Sequence, residues 1–242
     1  MLSQQNKPTR KSWLRRVFRV IFIVLVAWLA LTWLVVLVLR FVPPPTSAYM
    51  IESKLAAWHA GKDNFSIHYH WVPWANVASA LPISLIASED QKFPFHHGFD
   101  VQAIRTAIDE AQDGERLRGA STISQQTAKN LFLWGGRSFI RKGFEAYFTV
   151  LLEVTWPKRR ILEVYFNIAQ FGDGVYGADA AARTFFHESP AQLTAHQAAV
   201  LAAVLPNPVK LHATQPSAYV ERRADWIQRQ VEQLGGASYL PH

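Results

Sequence analysis

Twenty consecutive residues, Val20 to Leu39, carry no charge and only one hydroxyl, that of Thr32. Coiled as a helix at ~1.5 Å per residue, they span ~30 Å, the hydrocarbon thickness of a bilayer. A helix buried in a soluble protein rarely runs this long without a polar face. A cleaved signal peptide has an apolar region of ~7–15 residues that ends at small side chains. This run ends instead in Arg40-Phe41-Val42-Pro43-Pro44-Pro45. The pair Arg15-Arg16 also fits an export signal, but the length and the exit favour a retained anchor. Six cations precede the run, so the positive-inside rule keeps residues 1–19 in the cytoplasm and sends the body outward.

Net charge reinforces that reading. The chain has 242 residues and a formal charge of +7. Seven of its 25 basic residues, and none of its 18 acidic ones, fall within residues 1–40. The body is therefore balanced, with 18 of each sign. A nucleic-acid footprint would be a basic face on the folded body, so no nucleic acid is expected. The absence of cysteine excludes a disulfide framework, a thiolate metal site and a Cys nucleophile. The expected organisation is a cytoplasmic basic tail (1–19), a transmembrane helix (20–39), a stiff Pro-rich linker (40–47) and one extracytoplasmic domain (48–242).

Within the body the pattern is helical. Ser47 to Ala60 shows a helical spacing with Met50, Leu55 and Trp58. Phe65 to Trp74 alternates and reads as extended, its Trp71 and Trp74 placed either in the core or at a membrane interface. The apolar stretch Leu81 to Ala87 runs into Glu89. Asp100 can cap a helix carrying Val101, Ile104, Ala107, Ile108 and Ala111 on one face, ended by Gly114. Ser121 or Thr122 can cap another that reaches Leu133. Phe139 to Trp156 carries the strongest stripe: Ile140, Phe144, Phe148, Leu151, Leu152 and Thr155, stopped by Pro157. Further helices are expected over Lys158–Gln170, Gly177–Phe186, Thr194–Leu205 and Ser217–Leu234. The last has Val220, Ala224, Ile227, Val231 and Leu234 on one face. No parallel-sheet α/β unit is expected.

Chemistry concentrates between Ser88 and Glu145. Glu89 and Glu145 bracket the hydroxyls Ser121 and Thr122, the amides Gln125, Gln126 and Asn130, and the cations Lys129, Arg137, Arg141 and Lys142. Acid/base work on an anionic, hydroxyl-bearing substrate needs that inventory. The plain alternative is a solvated loop between helices, with Glu145 merely salt-bridged to Arg141 at i, i+4 for ~0.3–0.5 kcal/mol. No H-E-x-x-H and no clustered histidines occur, so the residues specify no metal site.

Order and spacing go further. The blocks S-E-D-Q-K-F-P-F-H-H-G-F-D (Ser88–Asp100), G-A-S-T-I-S-Q-Q-T-A-K-N (Gly119–Asn130) and R-S-F-I-R-K-G-F-E (Arg137–Glu145) resemble the signature motifs of the peptidoglycan glycosyltransferases, glycosyltransferase family 51. So do K-R-R-I-L-E-V-Y-F-N (Lys158–Asn167) and F-G-D-G-V-Y-G-A-D-A-A-A-R-T-F-F (Phe171–Phe186). The resemblance covers about Tyr49 to Pro208. It implies a mostly α, lysozyme-like helical domain behind a single N-terminal transmembrane helix. It also implies polymerisation of lipid II into β-1,4 glycan, with loss of undecaprenyl pyrophosphate and inversion at the anomeric carbon.

By the same resemblance Glu89 is the general base for the acceptor 4-hydroxyl, and Glu145 assists at the donor side. Lys129 and Arg137 meet the departing pyrophosphate, with Arg141 and Lys142 beside them. Ser121, Thr122, Gln125, Gln126 and Asn130 are candidate substrate contacts, Gln125 and Gln126 foremost. A divalent cation, Mg or Mn, on the pyrophosphate is implied and leaves no mark in the sequence. Lipid II, the growing glycan strand and membrane lipids are the implied partners, with room for cell-wall synthesis or division proteins. With no S-x-x-K motif and no length for a penicillin-binding domain, the monofunctional form is expected, in the cytoplasmic (inner) membrane with its catalytic domain periplasmic. A lysozyme-type glycan-cleaving enzyme and an inactive membrane scaffold are the competing readings. The phosphate-facing cations and the retained anchor argue against the first, and the presence of both glutamates argues against the second. One departure from the family pattern, His196 where Glu is common, lies outside the motif blocks.

Overall fold

In the computed structural model, residues 10–112, 121–136 and 138–241 are described. They form two compact units that divide after Val42. The first is a single helix, α1 (Arg10–Leu39), whose Trp13–Leu39 portion is long and apolar enough to cross a membrane. Its side chains are largely exposed, as a lipid-facing helix requires.

The second unit is helical around a small sheet. Its helices are α2 (Ala48–His59), α3 (Ala80–Glu89), α4 (Val101–Gln112), α5 (Ile123–Phe132) and α6 (Phe139–Thr155). They continue with α7 (Lys158–Ile168), α8 (Gly177–Phe186), α9 (Ala195–Val204) and α10 (Ala218–Leu234). Hydroxyls start several of them: Ser47, Thr122, Ser138, Thr194 and Ser217 each accept a hydrogen bond from the backbone N–H three residues on. Two clusters result. In one, α3, α9 and α10 pack on one another; in the other, α5 packs on α6 and α7. α3 and α9 are buried nearly all round, which explains why their sequences lack a polar face. His196, at the departure noted above, faces Glu221 across α9 and α10 at 3.5 Å on the surface.

Three short strands, β1 (His68–Tyr69), β2 (Gln170–Gly172) and β3 (Val175–Tyr176), form a sheet in the order β1-β3-β2. β3 pairs parallel to β1 and antiparallel to β2. This sheet corrects two expectations: the helix from Lys158 stops at Ile168, not Gln170, and the 65–74 segment is extended mainly at its β1 pair. Gly177, which follows β3, has φ +84°, and a Cβ there would lie 2.3 Å from the Asn167 carbonyl oxygen, so only glycine fits. Asn167 itself is fully buried. Its side chain accepts from Val72 N–H (2.8 Å) and donates to the Val72 and Glu163 carbonyls (2.9 Å each), pinning the 70s segment to α7. Trp71 and Trp74 are half-buried and not core; the guanidiniums of Arg160 and Arg159 lie 4.9 and 5.1 Å over their rings.

The buried stripes are narrower than the spacing predicts. On α6, Phe148, Leu151, Leu152 and Thr155 are buried, but Ile140 is 74% exposed and Phe144 36%. On α2, Met50 is buried, while Leu55 and Trp58 are exposed. On α4, Ala107 is buried and Val101 is exposed; the side chains of Ile108 and Ala111 and the expected stop at Gly114 lie outside what is described. Asp100 caps α4 as expected, accepting from Ala103 N–H at 2.9 Å.

Candidate active site

Glu89 is the last residue of α3, where its side chain can leave the helix for the cleft. Its Oε2 accepts a hydrogen bond from Gln126 Nε2 at 2.8 Å. The orientation of that amide is fixed in turn, because Gln126 Oε1 accepts from the buried Tyr165 hydroxyl at 3.1 Å. On its other side Glu89 Oε1 lies 3.8 Å from Arg223 Nη2 on α10. Burial raises the Glu89 carboxyl above the usual carboxylate range. The Gln126 hydrogen bond and the charges of Arg223 and Lys129 oppose that rise, and neighbouring Asp90 adds to it. A base poised upward toward neutral pH is what alcohol deprotonation calls for.

The loop after Glu89 is tied down at both ends. Asp90 Oδ2 accepts from Ile123 N–H at 2.9 Å, and the Asp90 carboxylate faces His96 Nε2 at 2.9–3.0 Å. His96 Nδ1 accepts from Gly98 N–H at 3.1 Å, so its hydrogen sits on Nε2 and points to Asp90. Gly98 has φ +89°, and its absent Cβ would sit 2.8 Å from Thr149 Cγ2. Thr122 Oγ1 donates to the Gly98 carbonyl at 2.6 Å. These bonds hold the end of α3 to the start of α5, and so hold Glu89 against Gln126.

Glu145 is 2% exposed on α6. Its Oε2 accepts from Arg141 Nη1 at 2.8 Å, and Lys142 Nζ binds Oε1. A surface i, i+4 pair would contribute only a few tenths of a kcal/mol, but this carboxylate is buried. Removing one partner of such a pair costs ~3–5 kcal/mol, because it leaves an uncompensated buried charge. Glu145 therefore holds two cations in place. Lys129, half-buried on α5, stands over the Tyr49 ring at 5.3 Å and makes no ion pair among the described residues. Burial lowers its pKa; the charge of Glu145 opposes that fall, Arg141 and Lys142 deepen it, and Glu89 weakly opposes it. Both glutamates thus act on one ammonium group.

The remaining candidates divide. Gln125 is buried, and its Oε1 accepts from the Thr122 N–H in a capping box, so the helix start occupies that side chain. Ser121 is exposed and, with Thr122, Glu89, Asp90 and Asp100, lines a cleft of ≈ 180 Å³. Asn130 is half-buried near the end of α5. Arg137 lies outside the described residues. Two side chains that sequence reasoning missed, Tyr165 and Arg223, meet Gln126 and Glu89. Arg223 carries the one usable signal: a cation just off the apolar stripe of α10.

A buried-edge carboxylate beside an amide, two cations and an exposed cleft is equipped for acid/base chemistry on a hydroxyl-bearing, anionic substrate. Residues 60–232 match the Transglycosylase family, and the chain belongs to it. It is 52% identical over 237 residues to a protein of Xanthomonas campestris pv. campestris named biosynthetic peptidoglycan transglycosylase, covering 98% of this chain and 96% of that one. A protein of the same name from Xanthomonas axonopodis pv. citri is 53% identical over the same shares. One from Xylella fastidiosa is 52% identical over 231 residues, 96% of this chain and 93% of that one.

Proposed function

We propose that this chain polymerises lipid II into β-1,4-linked glycan strands of peptidoglycan, releasing undecaprenyl pyrophosphate with inversion at the anomeric carbon. The observation that carries the reading is Glu89, buried and held by Gln126, together with Lys129, which feels the charges of both glutamates, lies over the Tyr49 ring and makes no ion pair among the described residues. Glu89 takes the proton of the acceptor 4-hydroxyl as its oxygen attacks the anomeric carbon. The bond to pyrophosphate breaks on the opposite face, and Lys129, with Arg141 and Lys142, meets the charge that develops there. Glu145 keeps Arg141 and Lys142 aimed. Arg137 joins them by resemblance.

Glycan cleavage would ask the second carboxylate to act as nucleophile or base. Both oxygens of Glu145 are already engaged by cations, which favours transfer. The same engagement leaves Glu145 ill-fitted as ligand to a resident metal, and no cluster of three His, Asp or Glu occurs among the described residues. The proposed Mg or Mn would therefore arrive on the substrate's pyrophosphate oxygens, and no step here depends on it. The test is stoichiometry: purified protein given lipid II in detergent should release one undecaprenyl pyrophosphate per glycosidic bond formed. Pyrophosphate release without bond formation would reject transfer.

We also propose that α1 anchors the chain in the inner membrane with its N-terminus cytoplasmic, supported by the cations before Val20. A reporter that works only after export, fused after residue 60, should be active. An inactive fusion, or a mature chain starting near Pro43, would overturn the orientation.

A further inference from the structure

α10 shows three faces. Val220, Ala224 and Ile227 are fully buried in the core. Arg223 and Gln230, seven residues apart, turn toward the catalytic loop: Arg223 approaches Glu89, and Gln230 Oε1 accepts from Gln91 Nε2 at 3.0 Å. On a 3.6-residue helix, positions 219, 223, 226 and 230 form one strip. Tyr219 and Trp226 therefore stand on either side of Arg223 along the strip of α10 that carries it toward Glu89. Both rings are exposed, Tyr219 at 51% and Trp226 at 40%, and neither has a stacking partner among the described residues. Arg223 Nε, beside them, is buried without a hydrogen-bond partner among the described residues. Two bare aromatic faces thus flank an arginine whose guanidinium reaches 3.8 Å from Glu89, the proposed base, and whose Nε is unused.

We propose that Tyr219 and Trp226 form a sugar-stacking shelf on the acceptor side of Glu89, with Arg223 directed at the polar edge of the bound ring. The proposal rests on the glycosyl-transfer reading above. A pyranose has an apolar face of C–H groups and a polar rim, and amphipathic aromatic rings match both. The two rings are seven residues apart, ~10.5 Å along the helix axis, a span suited to linked sugars rather than a single small ligand. The side follows from the packing. The cations that meet pyrophosphate stand on α5 and α6, whereas α10 packs on α3 and α9. Glu89, at the end of α3, separates the two. An acceptor hydroxyl that reaches Glu89 from across the cation cluster brings its sugar over α10.

Initial rates over a lipid II series in detergent test this with Trp226→Ala, Tyr219→Ala and Trp226→Phe. The Ala variants should raise the apparent KM roughly five- to tenfold, the worth of one aromatic stacking contact, with turnover at saturation nearly unchanged. Trp226→Phe should recover most of the loss. A lipid-free N-acetylglucosamine–N-acetylmuramic acid disaccharide should receive saturation transfer from the aromatic protons of the wild type and much less from Trp226→Ala. Unchanged KM and unchanged transfer overturn the shelf. So does a loss that Trp226→Phe shares in full together with a lowered melting temperature. If Trp226→Ala instead weakens flotation on phosphatidylethanolamine–phosphatidylglycerol vesicles while KM in detergent holds, the strip is a membrane contact and the proposal fails. Wild-type protein that makes no glycan at all would strike the underlying function; wild-type polymerisation with unaffected variants strikes only the shelf.

Discussion

Glu89→Gln is expected to lower polymerisation by ~10²–10⁴-fold, the usual cost of losing a positioned general base, while leaving the fold and the melting temperature near wild type. The amide is nearly isosteric and can still accept from Gln126 Nε2, so the contact that links α3 to α5 survives. What disappears is the capacity to take a proton. The same carboxyl sets one limb of the pH profile. Burial raises its pKa, so activity should fall as pH drops through that raised value, earlier than an ordinary glutamate would impose. Lys129 sets the other limb. Its pKa is lowered, so its charge, and the help it gives the leaving group, should fade as pH rises through that lowered value. The profile of turnover should therefore be a narrow bell, and Glu89→Gln should remove its acid limb along with the rate. Near-wild-type turnover in Glu89→Gln would mean that another group is the base.

Lys129→Ala should depress turnover by ~10²-fold, as loss of a fixed donor at developing charge does, and change the apparent affinity much less. Lys129 is half-buried, unpaired among the described residues and flanked by cations already committed to Glu145. A charge held that way acts on what appears as the sugar–pyrophosphate bond breaks. Mere attraction of an anionic lipid would instead weaken affinity, spare turnover at saturation and be mimicked by added salt. Rates over a lipid II series at two salt concentrations separate these outcomes, and unchanged turnover at saturation rejects the leaving-group role.

Much of the fold was legible because its signals are local. Serine and threonine caps, Pro157 after α6 and the uncharged run of α1 announce themselves within a few residues. The sheet was not. β1 and β3 are two residues long and about a hundred positions apart, and a strand that short has no period to read. The buried faces of α2 and α6 are narrower than their spacing suggests for a related reason. Spacing shows that Leu55, Ile140 and Phe144 share a helical face with core residues, but not where the neighbouring helices stop.

The site divides along the same line. Glu89, Lys129 and Glu145 were legible through motif order, and the chain's own geometry places an amide and cations around them. Gln125 illustrates the opposite case. Adjacent glutamines look equivalent in sequence, yet one turns to the helix cap and the other to Glu89, because they point 100° apart around α5. Tyr165 depends on packing between distant elements, which no spacing reveals, and Arg223 shows in the sequence only as a cation just off the apolar stripe of α10.

In the proposed reaction one site joins sugars, with Glu89 and Lys129 on either side of the bond being exchanged. Its most direct measurement is the length distribution of glycan formed when purified protein is incubated with lipid II in detergent, for the wild type and Glu89→Gln side by side. Wild type should give a ladder of lengthening strands, and Glu89→Gln should leave lipid II unconsumed. Free disaccharide-peptide without lengthening, or a ladder undiminished in Glu89→Gln, would contradict it.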